Sequence, residues 1–272
     1  MNKQQEKAKF NQICKDIKSI KIQGAKNIAK AGFRAYKLIP TKASKKKLLS
    51  LRPTEPMLAN LLELADKFSY NKILQELKKD QEEISKHTNK LIKTNNIIFT
   101  HCHSSTVIKA LIYCKKKHKK FEVYNTETRP LYQGRKTARE LKKAKIKTTL
   151  FVDSAAQIAL SRSQGTKKAN IVLLGADAIL KKGAINKIGS NMFSQIAKLN
   201  KIPVYIVADS WKYFPKNIEI EERDFDEVWD TERKIKIRNP AFSLIKRKYI
   251  TGIISEFGVF SYNEFLRKVQ KN

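Results

Sequence analysis

Hydrophobic residues recur every three or four positions in the first third of the chain, which is the period of an α-helix. The apolar positions with this spacing are Ile13, Ile17, Ile20, Ile28, Ala29, Phe33, Leu58, Leu61, Leu62 and Ala65. Proline is favoured in the first turn of a helix, so Pro53 and Pro56 fit the start of a helix that runs to Phe68. A polar helix is expected from about Asn71 to Lys90.

Beyond residue 93 the pattern changes to short apolar runs that alternate with longer helical stretches. The apolar runs are residues 97–100, 121–125, 147–152, 171–174, 203–208 and 250–255. The helical stretches between them include residues 105–117, 136–144 and 186–199. Strands that alternate with helices form βαβ units and a parallel sheet. We therefore predict an α/β protein with an N-terminal helical domain, residues 1–93, followed by a Rossmann-like parallel-sheet domain, residues 94–272.

The composition fits an ordinary soluble protein of one or two domains. The chain has 272 residues, of which 41% are hydrophobic, so it is long enough to bury a sizeable core. Its three cysteines are odd in number and lack the spacing of a disulfide scaffold. Residues 2–10 contain no apolar signal core, and no stretch approaches the roughly 20 apolar residues that span a bilayer. We expect a cytoplasmic protein without a membrane segment.

The net charge of +32 raises the question of a nucleic-acid partner. Basic residues outnumber acidic ones by 57 to 25, but they are spread in short groups such as 45–47, 115–117 and 181–182. No zinc finger, arginine-rich arm or aromatic RNP pattern accompanies them. A lysine-rich surface is therefore preferred to a specific nucleic-acid interface, and such a surface would also attract a multiply phosphorylated small molecule.

Two common phosphate-binding loops are absent from the sequence. Neither a G-x-G-x-x-G segment after a strand nor a Walker loop occurs. This absence argues against a dinucleotide-binding enzyme and against an NTPase, which are the commonest functions of such a sheet.

Two reactive side chains follow apolar runs that are expected to be buried strands. Cys102 comes after the run 97–100, and Asp177 comes after the run 171–174. The carboxyl ends of parallel strands are where open α/β sheets bind ligands, so this pair suggests acid/base chemistry. Ser104 and Ser105 can cap the helix that follows the cysteine. A helix amino terminus attracts anions and lowers the pKa of a nearby thiol.

Each of the two residues also has an ordinary structural interpretation. A single cysteine is more often a buried, inert side chain, and a single aspartate is more often part of a turn. A zinc site is a further alternative for Cys102, with a histidine on either side of it and with Cys114 and His118 downstream. Neighbouring strand residues point to opposite faces and the sequence has no C-x-x-C, so we expect no metal. The equivalent positions of the cysteine and the aspartate on two strands favour the functional interpretation.

Several short motifs occur in an order and spacing that resembles a known family. They are Thr100-His101-Cys102-His103-Ser104, Thr126-Glu127-Thr128-Arg129-Pro130, Gln133-Gly134, Gly175-Ala176-Asp177 and Asn186-Lys187-Ile188-Gly189. This set resembles the archaeal ribose-1,5-bisphosphate isomerases, which form a superfamily with methylthioribose-1-phosphate isomerase and the α, β and δ subunits of eukaryotic translation initiation factor 2B. The resemblance extends to residues 22–25, 52–54, 211–214 and 239–242, and so covers nearly the whole chain.

The resemblance implies an enzyme, because the chain keeps the cysteine and aspartate pair that the isomerases have and the regulatory subunits lack. It implies that Cys102, as a thiolate, is the base for the proton on carbon 2 of ribose 1,5-bisphosphate. It implies also that Asp177, protonated in an apolar setting, is the acid for the ring oxygen. The anomeric oxygen is phosphorylated, so the ring cannot open by the ordinary hemiacetal route. The product would be ribulose 1,5-bisphosphate, in the salvage of nucleotides such as AMP.

The resemblance also implies substrate contacts from backbone donors, a helix start and basic side chains. These residues are Gln23, Gly24, Ala25, Lys26, Arg52, Ser104, Ser105, Asn186, Lys187 and Lys212. Gln23 departs from the arginine of the family and so loses a charge and a bidentate phosphate donor, for which Lys26 is a candidate replacement. The lysine-rich segment 41–50 is expected to be a compact joint. No metal or redox cofactor is required, AMP is a candidate activator, and we expect self-association as a dimer or hexamer.

The main alternative is a non-catalytic homologue of the initiation-factor subunits that acts by binding a partner or a nucleotide. The charge of +32 and Gln23 favour this alternative, whereas Cys102 and Asp177 oppose it. A second alternative is a related isomerase that acts on another sugar phosphate.

Overall fold

The computed structural model describes residues 2–53, 55–230 and 234–271. Thr54, which belongs to the segment 52–54 of the family resemblance, lies outside the described residues. The helices are α1 (Lys3–Lys18), α2 (Ala25–Leu38), α3 (Lys42–Leu51), α4 (Pro56–Glu63), α5 (Tyr70–Leu91), α6 (Ser105–Lys116), α7 (Gln133–Lys143), α8 (Ala156–Leu160), α9 (Ser190–Leu199) and α10 (Tyr262–Lys271). The strands are β1 (Asn96–Thr100), β2 (Phe121–Thr126), β3 (Lys147–Phe151), β4 (Ile171–Leu174), β5 (Ala178–Leu180), β6 (Gly183–Lys187), β7 (Val204–Val207), β8 (Phe242–Lys246), β9 (Gly252–Ser255) and β10 (Gly258–Phe260).

The chain divides into two compact units. The first unit contains Met1–Lys79, Asp177–Leu180 and Trp211–Glu219, and the second contains Asp80–Ala176, Lys181–Ser210 and Ile220–Asn272. The division falls inside α5, and each unit also contains segments from distant parts of the sequence, so the two units do not correspond to two continuous domains. The domain boundary expected at residue 93 therefore stays a prediction.

The first unit is built around an apolar core that its helices share. Fully buried members of this core include Ile17, Ile28, Phe33, Leu48, Met57, Leu58, Leu61 and Leu62. Helices α2 and α4 approach closely at Gly32, where an added Cβ would lie 2.3 Å from Leu58 Cδ1. Burial of apolar side chains at helical spacing is what the sequence pattern predicted for this part of the chain.

Two sequence-based expectations for the first unit are wrong in detail. The segment 41–50 is not a joint but the helix α3, because Thr41 and Ser44 form a reciprocal capping box and Leu48 is fully buried. The helix that begins at Pro56 ends at Glu63 rather than at residue 68. It ends there because the backbone N–H groups of residues 67 and 68 both donate to the carbonyl oxygen of residue 64 and turn the chain.

The second unit is built on a seven-stranded sheet with the order β10-β9-β7-β4-β1-β2-β3. Every neighbouring pair is parallel except β10 and β9, which are antiparallel. All six predicted apolar runs contain a strand of this sheet, so the α/β fold class with its parallel sheet is confirmed. In the described part of the chain, no helix is long and apolar enough to cross a membrane.

The strand order reverses at β1. From β1 the chain proceeds outward to β2 and β3 on one side and then returns to place β4, β7 and β9 on the other side. Strands β1 and β4 are parallel neighbours, with Ile98 opposite Ile171. A crevice opens beyond the carboxyl ends of two strands at such a switch point, and open α/β sheets bind ligands there.

A second pair of strands in this unit was not predicted. Strands β6 and β8 are antiparallel, with Lys187 opposite Phe242. The expected helix 186–199 is therefore wrong at its start, because Asn186 and Lys187 end β6 and α9 begins at Ser190. Gly189 precedes α9 with a φ of 95°, a left-handed conformation that favours glycine and separates strand from helix.

Candidate active site

The main chain of Cys102 is held in an uncommon conformation at the switch point. Cys102 lies between the end of β1 and the start of α6, with a φ of 64° that few residues other than glycine adopt. Its backbone N–H donates to Thr128 Oγ1 at 3.0 Å, and the hydroxyl of Thr137 donates to its carbonyl oxygen at 2.7 Å. Both threonines are fully buried. Strained backbone that its surroundings fix in this way is typical of functional sites.

A glycine brings the end of β4 against the start of α6. Ser104 is the N-cap of α6, and its hydroxyl oxygen accepts the Val107 N–H at 3.4 Å. At Gly175, an added Cβ would lie 2.5 Å from Ser104 Oγ and 3.9 Å from Asn186 Oδ1. Ser104 and Asn186 therefore flank the same glycine. The first backbone N–H groups of α6, from Ser105 onward, favour an anion at this place.

His101 connects the end of β1 to the segment that precedes α9. The ring is buried, with Nε2 2.8 Å from the Ile188 carbonyl oxygen and Nδ1 hydrogen-bonded to Thr126 Oγ1. Burial, with a smaller contribution from the charge of Lys187, lowers the pKa of His101 to about 4. The ring is therefore neutral at pH 7, so Nε2 donates to the carbonyl oxygen and Nδ1 accepts the threonine hydroxyl. This bond fixes the main chain beside Asn186 and Lys187.

Asn186 and Lys187 occupy the end of β6 with different surroundings. Asn186 is buried, and its Nδ2 donates to Ser190 Oγ at 2.9 Å in the first turn of α9. Lys187 is partly exposed, with Nζ 4.9 Å from the centre of the Phe242 ring. The second unit thus brings two helix starts, an amide and a lysine to the switch point, which is an arrangement suited to a phosphate group.

Gln133 is a further candidate that the sequence analysis did not select. Its Oε1 atom is buried, and it has no hydrogen-bond partner among the described residues. Gln133 lies one helical turn before Thr137, which donates to Cys102, so both side chains are on the same face of α7. Gly134 lets this helix approach β2, since an added Cβ would lie 1.7 Å from the Thr126 carbonyl oxygen. A buried amide oxygen without a partner is costly unless a ligand satisfies it.

Of the side chains weighed for a zinc site, the two histidines beside Cys102 have separate partners. His103 Nε2 lies 3.1 Å from Glu140 Oε1, and His101 is bound as described above. Burial raises the pKa of the Cys114 thiol to about 12, so this cysteine is inert. Within residues 2–53, 55–230 and 234–271, no group of three histidine, cysteine or acidic side chains could hold a metal ion. That the protein needs no metal stays a prediction.

The first unit contains a helix start and a buried arginine among the predicted contacts. Gly24 is the N-cap of α2 with a φ of 84°, and the first two residues of the helix, Ala25 and Lys26, are buried. Gln23 is exposed, and its carbonyl oxygen accepts a hydrogen bond from Asn27 Nδ2 at 3.0 Å. Arg52, just after α3, is buried with Nη2 3.7 Å from Glu55 Oε1.

The first unit also brings the segments of Asp177 and Lys212 together. Asp177 is partly buried immediately before β5, and Lys212 is 5% exposed. The Phe214 N–H donates to the Ile179 carbonyl oxygen at 2.9 Å, which joins the two segments. The side-chain amide of Asn60, on α4, donates to the carbonyl oxygens of residues 211 and 213 at 2.7 and 3.0 Å. Both segments are therefore anchored to the helical core of this unit.

The predicted site residues thus fall into two groups, one in each unit. The second unit holds Cys102, Ser104, Ser105, Asn186 and Lys187, and the first unit holds Gln23, Gly24, Ala25, Lys26, Arg52, Asp177 and Lys212. The roles assigned to these residues stay predictions. Thr128 lies in a motif that carried the resemblance, but nothing in the sequence indicated the roles of Thr128 and Thr137, which depend on contacts with Cys102 from other elements.

The N-terminal helices and the doubly wound parallel sheet define an α/β fold, a class whose members bind ligands at the switch point of the sheet. More narrowly, the chain belongs to the initiation factor 2 subunit family, which it matches over residues 41–262. The resemblance inferred from the sequence motifs is confirmed.

The chain is similar both to proteins named as isomerases and to proteins named as initiation-factor subunits. The chain is 35% identical over 283 residues to the ribose 1,5-bisphosphate isomerase of Methanocaldococcus jannaschii, covering 89% of this chain and 88% of that one. It is 29% identical to a putative translation initiation factor eIF-2B subunit 2-like protein of Pyrococcus horikoshii, covering 91% and 95%. The crystal structure of the Pyrococcus horikoshii OT3 translation initiation factor eIF-2B superposes with a TM-score of 0.81 at 25% identity, covering 93% and 96%.

Proposed function

We propose that the protein is a sugar-phosphate aldose–ketose isomerase that converts ribose 1,5-bisphosphate into ribulose 1,5-bisphosphate. The observation that carries this proposal is the strained main chain of Cys102, which two buried threonines hold at the switch point of the sheet. A cysteine that only filled the core would need no such support. The 35% identity to the Methanocaldococcus jannaschii isomerase supports the same substrate.

The reaction needs one acid and one base. Asp177 donates its proton to the ring oxygen, and the bond between carbon 1 and that oxygen breaks. The Cys102 thiolate removes the proton from carbon 2, which leaves an enol that carries the phosphate on carbon 1. Return of a proton to carbon 1 and loss of the hydroxyl proton on carbon 2 then give the ketone, so the overall change is an isomerisation. Cys102 and Asp177 act on the same substrate in this scheme.

The two phosphate groups of the substrate require two sets of donors. One set is the start of α6, the start of α9 and Lys187, all at the switch point of the second unit. The other set is the start of α2 together with Arg52 and Lys212. Helix amino termini and basic side chains are the usual ligands of phosphate in proteins. Gln23, where the family has arginine, offers an amide in place of a charge.

A binding function is the second candidate, because two observations favour it. Gln23 lacks the charge of the family arginine, and a relative at 29% identity is described as an initiation-factor-like protein. In that case the chain would bind a partner or a nucleotide without turnover. The support that Thr128 and Thr137 give to Cys102 opposes this candidate.

The proposal also covers the setting of the reaction. We place the enzyme in the cytoplasm, in the salvage of AMP, with AMP as an activator and without a metal or redox cofactor. Self-association as a dimer or hexamer is part of the same proposal.

Incubation with ribose 1,5-bisphosphate tests the proposed substrate. Purified protein, with and without AMP, should form ribulose 1,5-bisphosphate, detected by ³¹P NMR or by chromatography. Ribose 5-phosphate and 5-methylthioribose 1-phosphate serve as comparison substrates and should react at least about a hundredfold more slowly, since a site built for a polar group rejects an analogue that lacks it. Turnover of a comparison substrate alone would assign another isomerase activity. No turnover of any sugar phosphate, together with tight binding to an initiation factor, would favour the binding function.

A further inference from the structure

Lysines that occur in short, separate groups along the sequence are brought together by the fold at one end of the seven-stranded sheet. Strands β9, β7, β4, β1, β2 and β3 are consecutive and parallel, so the segments that precede them all lie at the amino-terminal end of the sheet. In this order, the segments are residues 246–251, 198–203, 167–170, 90–95, 115–120 and 142–146. Together they contain 17 of the 57 basic residues of the chain and none of its 25 acidic residues.

Hydrogen bonds between neighbouring segments join them into one surface. The Asn95 N–H donates to the Lys120 carbonyl oxygen at 2.7 Å, which links the segments that precede β1 and β2. The Asn170 N–H donates to the Ile97 carbonyl oxygen at 2.8 Å, which links the segment before β4 to the start of β1. We call the surface formed by the six segments the lysine face.

The positive charges of the lysine face are exposed and are not balanced by acidic groups within it. Fifteen of the 17 basic side chains are exposed, and the other two, Lys119 and Arg247, are half-buried. Glu122, near the start of β2, is already paired with Lys147, whose Nζ lies 2.9 Å from Glu122 Oε1. A dense surface charge of one sign attracts polyanions of the opposite sign.

Helix ends account for only part of this charge. Cations stabilise the carboxyl ends of helices, and α5, α6, α7 and α9 all end in segments of the lysine face. Residues 167–170 and 246–251 do not directly follow an α-helix, yet they carry five basic residues. The concentration of lysine therefore exceeds what the helix dipoles explain.

At the β9 end of the row, the lysine face borders a cavity of about 510 Å³. The basic residues of its lining are Lys181, Arg247 and Arg267. Glu264, the acidic residue of the lining, accepts the Ser261 N–H at 2.9 Å and the Ser261 hydroxyl at 2.6 Å. A cavity of this volume is large enough for one nucleotide, and its arginines suit a phosphate group.

The extent of the lysine face indicates the kind of partner that it fits. Its six strands, about 4.8 Å apart, span about 24 Å. A nucleic-acid strand with one phosphate every 3.4 Å or so places about seven phosphates along that distance, whereas a small phosphorylated metabolite covers only part of it. Leu199 is the only large hydrophobic side chain exposed in the six segments, all of which the structure describes. An interfacial membrane surface requires an apolar face beside the basic one.

We infer that the lysine face binds the phosphate backbone of a nucleic acid without reading its sequence. Lysine ammonium groups neutralise phosphates as point charges, and contacts to phosphate carry no direct sequence information. Strand β1 is five residues long, so roughly 16 Å separates the lysine face from the candidate active site at the carboxyl ends of the strands. Nucleic-acid binding is therefore independent of the proposed isomerase activity.

Fluorescence anisotropy of the full chain with labelled polyuridine RNA of about 20 nucleotides tests the inference, with polythymidine DNA of the same length as a second probe. At about 150 mM salt the dissociation constant should be about 100 μM or lower. The logarithm of the binding constant should fall with the logarithm of the salt concentration with a slope of about −5, as expected for about seven neutralised phosphates. Both probes should bind, because both present the same phosphates, and the tighter one identifies the preferred nucleic acid.

A variant with four exposed lysines of the lysine face changed to glutamine locates the binding surface. The four are Lys93, Lys120, Lys143 and Lys168, one from each of four neighbouring segments. This variant should bind RNA at least about tenfold more weakly, with a salt dependence shallower by about 2 to 3. Its isomerase turnover should equal that of the wild type.

The matched control changes the four exposed lysines of α1, Lys3, Lys7, Lys15 and Lys18, to glutamine and so has the same net charge. It should keep the wild-type affinity for RNA. Circular dichroism establishes that both variants are folded. Photo-cross-linking of the wild type to RNA that contains 4-thiouridine, mapped by mass spectrometry, needs no variant and should place the cross-links in the six segments.

Three results would overturn the inference. Equal weakening by the two variants would show that the overall charge, rather than the lysine face, attracts RNA. Cross-links confined to other segments would place the binding surface elsewhere. Failure of the wild type to bind either probe at about 150 mM salt would exclude nucleic acid, and sedimentation with anionic lipid vesicles in that case would assign the face to a membrane surface.

Discussion

The buried ring of His101 makes the stability of the protein depend on pH in a defined window. Burial holds the folded-state pKa of His101 at about 4, compared with 6.5 for an ordinary histidine. Above pH 6.5 the ring is neutral in both the folded and the unfolded chain, so His101 does not lower the stability of the protein there. As the pH falls from 6.5 to 4, His101 binds a proton in the unfolded chain but stays neutral in the folded chain, so the free energy of unfolding decreases.

The size of this loss follows from the two pKa values. A difference of about 2.5 pH units corresponds to about 3 kcal/mol when the pH is well below both values, at about 1.4 kcal/mol per unit. At pH 4.5 the loss is about 2.5 kcal/mol. The pKa of about 4 already includes the opposing effect of Asp153, which lies 4.0 Å from Nδ1 and stabilises the protonated ring.

The substitution His101→Gln removes the titration of the ring and tests its effect on stability. Glutamine does not titrate, and its amide can still donate to the Ile188 carbonyl oxygen. Urea unfolding of both proteins at pH 7.5, 6.0 and 4.5, at constant ionic strength, gives the free energy of unfolding. We expect the variant to be less stable than the wild type at pH 7.5. Between pH 7.5 and pH 4.5, the difference in free energy of unfolding should shift in favour of the variant by about 2 kcal/mol. If the difference between the two proteins is the same at all three pH values, the argument from the buried neutral ring is wrong.

Three further predictions address other parts of the molecule. Burial raises the pKa of Glu256 to about 7, so this carboxyl group lowers the stability of the wild type as the pH rises from 4.5 to 7. In urea unfolding over that pH range, the free energy of unfolding of Glu256→Gln should fall by up to about 3 kcal/mol less than that of the wild type, and an identical fall would contradict the assignment. Gly175→Ala should cost about 1–3 kcal/mol and lower turnover, because the added Cβ would meet Ser104 Oγ at 2.5 Å, and wild-type stability and rate would refute the close contact. Lys187→Ala should raise KM at least about tenfold, whereas neutralising lysines 45–47 together should change KM little, since salt screens exposed charges beyond roughly 8–10 Å. Equal changes in KM would indicate that the overall positive charge of the surface, rather than Lys187, attracts the substrate.

The sequence predicts the central sheet well because buried strands are continuous apolar runs. All six predicted runs contain a strand of the sheet, and the alternation with helices fixes its parallel pairing. Strand β6 was missed because its partner, β8, lies about sixty residues away, and such pairing leaves no local pattern. The helix α3 was also missed, although its Thr41 and Ser44 caps are a local signal that the abundance of lysine obscured.

The candidate site divides in the same way between local and long-range information. Cys102 and Ser104 could be selected because they follow an apolar run and precede a helix. Thr137 could not be selected, since its hydroxyl reaches Cys102 from 35 positions along the chain. The buried amide oxygen of Gln133 becomes informative only when the packing around it is known. Sequence motifs therefore indicate which residues react, and the fold reveals which residues position them.

The central claim is that Cys102 and Asp177 act as base and acid on one substrate. The most direct measurement is the turnover of ribose 1,5-bisphosphate by wild type, Cys102→Ser and Asp177→Asn, with Cys114→Ala as a control for the loss of a buried, inert cysteine. Each of the first two variants should lower turnover at least about a hundredfold, the low end of what a positioned acid or base contributes, while the control keeps wild-type turnover. Circular dichroism should show that all four proteins are folded. Near wild-type turnover in a folded Cys102→Ser or Asp177→Asn variant would contradict the account.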